Sequence, residues 1–404
     1  MEDPTEAPTL LWTNGGPGCS GVGGSLSEMG PFRPNEKGEL ESNPYAWNQV
    51  ANVIFIEQPA GVGFSTNSKI EDFAYGDKQA AEDNWNFVQG WIERFDSYKK
   101  APFYLTSESY GGHYIPTLAY EIVTHNQDKK INFKGFAVGN PLTYMPYRNL
   151  GEIGTYGYHN LLPKPKFDLY LKNECYNMDT DRPQPENLKT CQDLLNEFEN
   201  LVSGMDPYAL DFPICDSKKA RGREDRHQFV NLMKRSKLET GMGYSSILGD
   251  YFPRDYEPCT SNYVETYLNR DDVQAALHIP SDLNVSWSMC SNTVGSKYNT
   301  TDVNLPMMPY YKKLVQDKNL QLMVYSGDDD AVCATLGSQQ WIWNLGLDVS
   351  EEWAPYKVDD QVAGFTTKFG DHFRFTTVHG AGHMTPSTRP AQTLAMLERF
   401  LKGW

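Results

Sequence analysis

Three short stretches carry the side chains that nucleophilic hydrolysis needs. Residues 107–112 read SESYGG at the end of the apolar run FYLTSES, which sets Ser109 between a strand and a helical pattern, HYIPTLAYEIVTH. VYSGDDDAVC ends a second apolar run in Asp328, Asp329 and Asp330, and TTVHGAGHMTP ends a third in His379 and His383. A serine hydroxyl is a weak nucleophile until a base takes its proton, and that base needs an acid to orient it. Ser109 lies in S-x-S-x-G, with Ser107 where the nucleophile-elbow pattern has its first glycine, so the corner still carries a small residue. Serine, then aspartate, then histidine is the chain order expected when the serine sits on a strand-to-helix turn. Taken singly, the aspartates read as a solvated turn and the histidines as packed core residues. Three strand ends in the right order make coincidence the poorer account.

A fourth stretch, WTNGGPGCSG, follows a strand and is rich in glycine, so its backbone N–H groups can approach a ligand closely. It is not a phosphate loop, because G-x-x-x-x-G-K-[ST] is absent. One residue is out of place for a serine nucleophile. Glu108 is the immediate neighbour of Ser109, and a negative charge there would repel an anionic intermediate.

The elements that must hold these residues are legible as short β-branched or aromatic runs, each leading into a turn: TLLWTNGG, ANVIFIEQPAG, PFYLTSESYGG, FKGFAVGNP, LQLMVYSGDDD and FRFTTVHGAGH. Helical patterns such as DKQAAEDNWNFVQGWIERF lie between several of them. Alternating strand and helix predicts an α/β fold with a mostly parallel central sheet, helices on both faces, and ligands at the carboxyl ends of the strands. From about 150 to 300 strand signals thin out, and five of the seven cysteines fall there. The predicted division is a core part over 1–149, a cysteine-containing helical cap insertion over 150–300 and a second core part over 301–404.

Composition fits this. At 404 residues with 39% hydrophobic and 13% aromatic side chains, the chain can bury a large core. A formal net charge of -16 argues against nucleic acid or an anionic membrane as partner. The apolar runs, such as VIFI at 53–56, are too short to span a bilayer. Seven cysteines and two glycosylation sequons, at Asn284 and Asn299, point to an oxidising secretory environment. The opening MEDPTEAPTL has no signal-peptide pattern, so the sequence reads as a mature, trimmed or incomplete form of a secreted or lysosomal-type protein.

WTNGGPGCSG, NVIFIEQPAGVGFS, SESYGGHY, VGNP, YLNRDDVQAALHI, VYSGDDDAVC and HGAGHMTP together resemble the serine carboxypeptidases, nearest to the lysosomal cathepsin A and vacuolar carboxypeptidase Y group. The resemblance covers nearly the whole chain. It implies an α/β-hydrolase fold carrying an insertion, with Ser109 as nucleophile and His383, in G-H-M-x-P, as general base. The family's acid stands three residues before a cysteine, which selects Asp330 before Cys333. Asp328 and Asp329 then read as turn formers, and His113, His372 and His379 as structural. The resemblance assigns the oxyanion hole to the amides of Gly16 and Tyr110. It assigns recognition of a substrate's terminal carboxylate to Asn14, Gly15, Glu28 and Glu108, with Trp12 as buttress. Two glutamates side by side do not easily both ionise, and a protonated carboxyl is a hydrogen-bond donor suited to gripping a carboxylate. Glu108 is then neutral when it works, and peptide hydrolysis is expected to be favoured in acid.

By the same resemblance the disulfides are Cys19–Cys290, Cys175–Cys191 and Cys215–Cys259. Cys333 is left free, lining a pocket with Met384. The stretch DSKKARGREDRHQFVNLMKRSKLE between Cys215 and Cys259 is either a solvated loop or an excised segment, as in two-chain relatives. Family members carry further edge strands upstream, which implies an uncovered first sheet edge, prone to pairing. Peptide or protein C-termini are the implied substrate, in a lysosome, a vacuole or outside the cell. No cofactor or metal is implied, and a homodimer is allowed. The rival readings are an acyltransferase on the same scaffold and a non-catalytic protective partner of other hydrolases.

Overall fold

The computed structural model describes residues 3–66, 75–215, 256–283 and 285–404. Within them the strands are β1 (Thr9–Thr13), β2 (Phe32–Pro34), β3 (Leu40–Ser42), β4 (Asn52–Phe55), β5 (Phe103–Glu108), β6 (Phe133–Gly139), β7 (Gln321–Gly327), β8 (Val349–Val358), β9 (Gln361–Phe369) and β10 (Phe373–Val378). All six apolar runs named above are among them. β2 and β3 form a small antiparallel pair; the others form one eight-stranded sheet in the order β4-β1-β5-β6-β7-β10-β9-β8. From β4 to β10 every neighbouring pair is parallel, while β9 and β8 are antiparallel.

The central strands bury both faces, as a parallel sheet requires. Leu11, Leu105, Val138, Val324 and Phe375 point to one side. After the single turn α1 (Gly21–Gly24), helices α2 (Asp77–Arg94) and α3 (Gly111–His125) cover that side with Val88, Ile92, Ile115 and Leu118. Trp12, Tyr104, Ala137 and Tyr325 point to the other, against Met396, Leu397 and Phe400 of the C-terminal helix Pro390–Leu401.

Strand order reverses at β1. The chain leaves β1 for β4 on one side and then crosses to β5 on the other. Crossovers that diverge in this way open a crevice at the carboxyl ends of the two strands, where open α/β sheets bind ligands. The ends of β1 and β5 carry Asn14 and Ser109.

The hairpin β8–β9 is the part of the sheet that the hydrophobic pattern did not mark. β8 is an edge strand, exposed over most of its length, and carries Glu351, Glu352, Pro355 and Lys357. Charge and proline protect an edge from pairing, and they also erase the strand signature. Its turn residues Asp359 and Asp360 both have positive φ, 50° and 60°, as the tight turns favoured in hairpins demand. At the other edge, β4 pairs among the described residues with β1 alone, and its side chains are half-buried.

Between β6 and β7 the described residues are helical, including α4 (Met145–Tyr158), α5 (Lys164–Lys172), α6 (Leu188–Val202) and a helix over Thr260–Leu268. α4 to α6 enclose their own apolar cluster around Tyr156, Phe167, Cys175, Cys191 and Phe198.

Candidate active site

Ser109 has φ 59°, a left-handed conformation that costs free energy for a side chain of its type and projects it from the turn between β5 and α3. The turn is over-determined by its neighbours. Ser109 N donates to Gly139 O at 3.0 Å, and Ser109 O accepts from Gly112 N at 2.9 Å and Leu142 N at 2.8 Å. Ser107 Oγ donates to Thr13 O at 2.6 Å, so the residue replacing the usual glycine ties β5 to the end of β1. A Cβ on Gly111 would stand 1.9 Å from that same Ser107 Oγ, and one on Gly112 2.0 Å from Leu142 O, which fixes glycine at both positions.

Asp330 and His383 meet at 2.7 Å, Oδ2 to Nδ1, with both residues buried. Asp330 also accepts from the amides of Val332 at 2.8 Å and Cys333 at 3.1 Å, and from Asn140 Nδ2 at 2.8 Å. Asn140, at φ 37° just past β6, in turn accepts from Gly327 N at 2.9 Å. The carboxylate is therefore held by donors from two segments and aimed at one nitrogen of the imidazole. Of the three aspartates, Asp330 is the one against His383. Asp328 instead pairs with the exposed His379 at 2.7 Å and accepts from Gly380 N.

The glycine loop lies directly on the serine turn. A Cβ on Gly15 would be 2.5 Å from Tyr110 N and 2.7 Å from both Glu108 O and Ser109 Cβ. Tyr110 N is at the first turn of α3, where amides have no intrahelical acceptor. Gly16, at φ 110°, follows in the same loop.

Beside the loop is a buried cluster of Trp12, Asn14, Glu28 and Glu108. Trp12 Nε1 donates to Asn14 Oδ1 at 2.7 Å, and this fixes the amide so that its Nδ2 donates to Glu28 Oε1 at 3.0 Å and Glu108 Oε1 at 3.1 Å. Burial pushes the Glu28 carboxyl up to about 7. Burial and the neighbouring Glu28 raise Glu108 well above the usual carboxylate range. Ser109, His383, Met384, Asn14, Glu28 and Glu108 all line one cavity, so the nucleophile candidate and the acid pair face the same space.

The family model for serine carboxypeptidase matches residues 1–403. The chain belongs to the serine carboxypeptidase family. Among curated relatives it is 37% identical to serine carboxypeptidase-like 33 of Arabidopsis thaliana over 414 residues, which is 100% of this chain and 82% of that protein. It is 35% identical to serine carboxypeptidase 24 of the same organism, over 99% of this chain and 83% of that one. Among solved structures, the prohormone-processing carboxypeptidase Kex1(Δ)p from Saccharomyces cerevisiae superimposes with a TM-score of 0.76 at 22% identity, covering 98% of this chain and 83% of that one, which shows a shared fold. This serine carboxypeptidase is thus a hydrolase of the α/β-hydrolase architecture.

The expected disulfides Cys19–Cys290, Cys175–Cys191 and Cys215–Cys259 are all present in the carboxypeptidase. The first joins the glycine loop to the chain before β7. Cys333 is free and buried, its thiol beside Ser109, and burial followed by the Asp330 charge raises it well above the usual thiol range. Met384 lines the cavity, whereas Cys333 does not. His113 pairs with buried Asp77, and His372 Nε2 bonds Val315 O, so neither meets Ser109's cavity. Asn299 is exposed and caps a short helix by accepting from Thr301 N. Asn284 and the basic stretch at 216–239 lie outside the described residues.

Three residues of this region have contacts that the sequence did not reveal. Asn140 stands in VGNP, where its position at a strand end was the available signal. Asp329 stands in the turn after β7, as read, and is also buried there: its Oδ2 accepts from Asp211 N at 3.0 Å, and burial raises it to about 7. Tyr208 packs edge-on to the His383 ring with centroids 5.1 Å apart, and its carbonyl accepts from His383 N. Nothing local in DPYALDF marks these contacts.

Proposed function

We propose that this enzyme releases C-terminal amino acids from peptides and proteins through an acyl-enzyme on Ser109. One observation carries the reading: Ser109, His383 and the Asn14–Glu28–Glu108 cluster line a single cavity. A nucleophile set beside a carboxylate-recognition set is what cleavage at a chain end requires.

In this reading the substrate's terminal carboxylate accepts from a neutral Glu108 and from Asn14 and Gly15. His383 takes the Ser109 proton as the oxygen attacks the last peptide carbonyl, and Asp330 holds the imidazole while it is charged. Gly16 N and Tyr110 N receive the developing oxyanion, an interaction typically worth about 3 kcal/mol per donor. The proton then passes from His383 to the departing amino acid, and water repeats the sequence on the acyl-enzyme. Acidic pH favours the reaction because the acid pair must be neutral to donate. When both glutamates carry protons, one holds the pair together and the other is available to the substrate.

The described residues of 150–300 act as a cap. Tyr208, Tyr256, Thr260 and Met289 among them line the same cavity, which supports that role. Three disulfides support a vacuolar, lysosomal or extracellular location, where they persist.

The test is timed release of free amino acids from a defined peptide at about pH 5, within the range where raised carboxyls are still neutral. Sequential C-terminal release that is abolished in Ser109→Ala supports the proposal. Transfer of an acyl group to an added alcohol, without free amino acid, supports an acyltransferase instead. Failure of an organophosphonate to label Ser109 excludes the acyl-enzyme.

A further inference from the structure

We infer that Asp77 is a positioning residue for the reaction, holding Tyr110 so that its backbone amide stays aimed at the oxyanion. The inference rests on the carboxypeptidase reading above.

Asp77 opens α2 and is 4% exposed. Its Oδ1 accepts from Tyr110 Oη at 2.9 Å and Tyr298 Oη at 2.8 Å, and its Oδ2 pairs with His113 Nδ1 at 2.8 Å. The His113 ring lies flat on the Tyr110 ring, centroids 4.6 Å apart at 11°. Tyr114 and Tyr298 close the edges of that ring at 5.1 and 5.3 Å. Tyr110 is fully buried and has no freedom to turn. On its backbone side the amide sits under Gly15, as described above.

Burial pushes the Asp77 carboxyl up, but hydrogen bonding and charge from His113, with the bonds from Tyr298 and Tyr110, outweigh it and hold the group below the usual carboxylate range. The arrangement is costly, since a buried carboxylate gives up its hydration and is compensated only by well-placed hydrogen bonds. A packed apolar cluster would fill the same space more cheaply. What the charge adds is direction: it locks a phenol by its hydroxyl, and that phenol belongs to the residue following the nucleophile. Displacing a reacting group by about 1 Å can cost a hundredfold in rate.

The experiment compares wild type with Asp77→Asn on a peptide ester and on the matching thionoester, whose developing charge rests on sulfur and is poorly served by amide donors. The inference predicts that Asp77→Asn lowers kcat by about tenfold to a hundredfold with KM within about twofold. It also predicts that the rate advantage of ester over thionoester shrinks. An unchanged kcat overturns the inference, as does a loss of rate that leaves the ester-to-thionoester ratio unmoved. If Asp77→Asn does not fold, Tyr298→Phe, which removes one donor to the same carboxylate, is read in the same way. A wild-type enzyme that releases no amino acid overturns the functional reading, and this inference with it.

Discussion

Glu28 and Glu108 face each other across one amide nitrogen, Asn14 Nδ2, which donates to both carboxyls at 3.0 and 3.1 Å. Burial raises both groups, and holding two carboxyls this close disfavours charging both at once. The pair titrates as a unit, and its most neutral form belongs to acid solution.

The pair makes stability depend on pH. A carboxyl raised by folding stabilises the native state fully below its unfolded pKa, and that contribution is lost as pH climbs through the folded pKa. For Glu28 the window runs from 4.5 to about 7. The melting temperature of wild type minus that of Glu28→Gln/Glu108→Gln should therefore decline from pH 4.5 upward. Asp329, also raised to about 7, is common to both proteins and cancels in the difference. A difference that stays flat or rises across this window contradicts the assignment.

Gly24 should control substrate binding without touching the chemistry. A Cβ there would stand 2.1 Å from Asn14 Oδ1 and 2.9 Å from Trp12 Nε1, so Gly24→Ala must displace the amide that bridges the glutamates. Loss of a hydrogen bond to a charged ligand group costs about 1.5–3 kcal/mol, or roughly tenfold or more in affinity. KM for a peptide should rise accordingly, while an ester without a free carboxylate keeps its KM. Equal effects on both substrates would show that the change is a general distortion.

Asn140 should act on kcat. It is the side-chain donor to Asp330 and is anchored by Gly327 N. Removing it in Asn140→Ala leaves the carboxylate two backbone donors and less reason to keep one orientation. A drop in kcat of about tenfold, with KM little changed, follows from the usual strength of a bond to a charged acceptor. Wild-type kcat in a folded variant would remove Asn140 from the account.

The sequence announced the proposed triad because its members sit at strand ends. Ser109, Asp330 and His383 each close an apolar run, and a run ending in a turn is a local signal. Asn140 and Asp77 were silent because their meaning lies in partners far along the chain: Asp330 for the first, Tyr110, His113 and Tyr298 for the second. Asp329 looked like one more turn aspartate, since burial by the 206–212 segment cannot be read from neighbouring residues. β8 escaped for the opposite reason, because an edge strand must be charged and exposed to remain unpaired.

Cys333 should be slow to react despite being free. Its thiol is raised by burial first and by the Asp330 charge second, and the thiolate is the reactive form. Iodoacetamide at neutral pH should leave the native enzyme largely unlabelled and should modify one cysteine per chain once it is unfolded without reduction. Rapid labelling of the native enzyme would contradict the burial of this thiol.

The central claim is that a neutral acid pair grips the substrate's terminal carboxylate, and kcat/KM against pH for one peptide and for its C-terminal amide tests it most directly. The peptide's profile should fall as the pair ionises toward and beyond about pH 7, while the amide's holds to higher pH. Two profiles that superimpose would contradict the account.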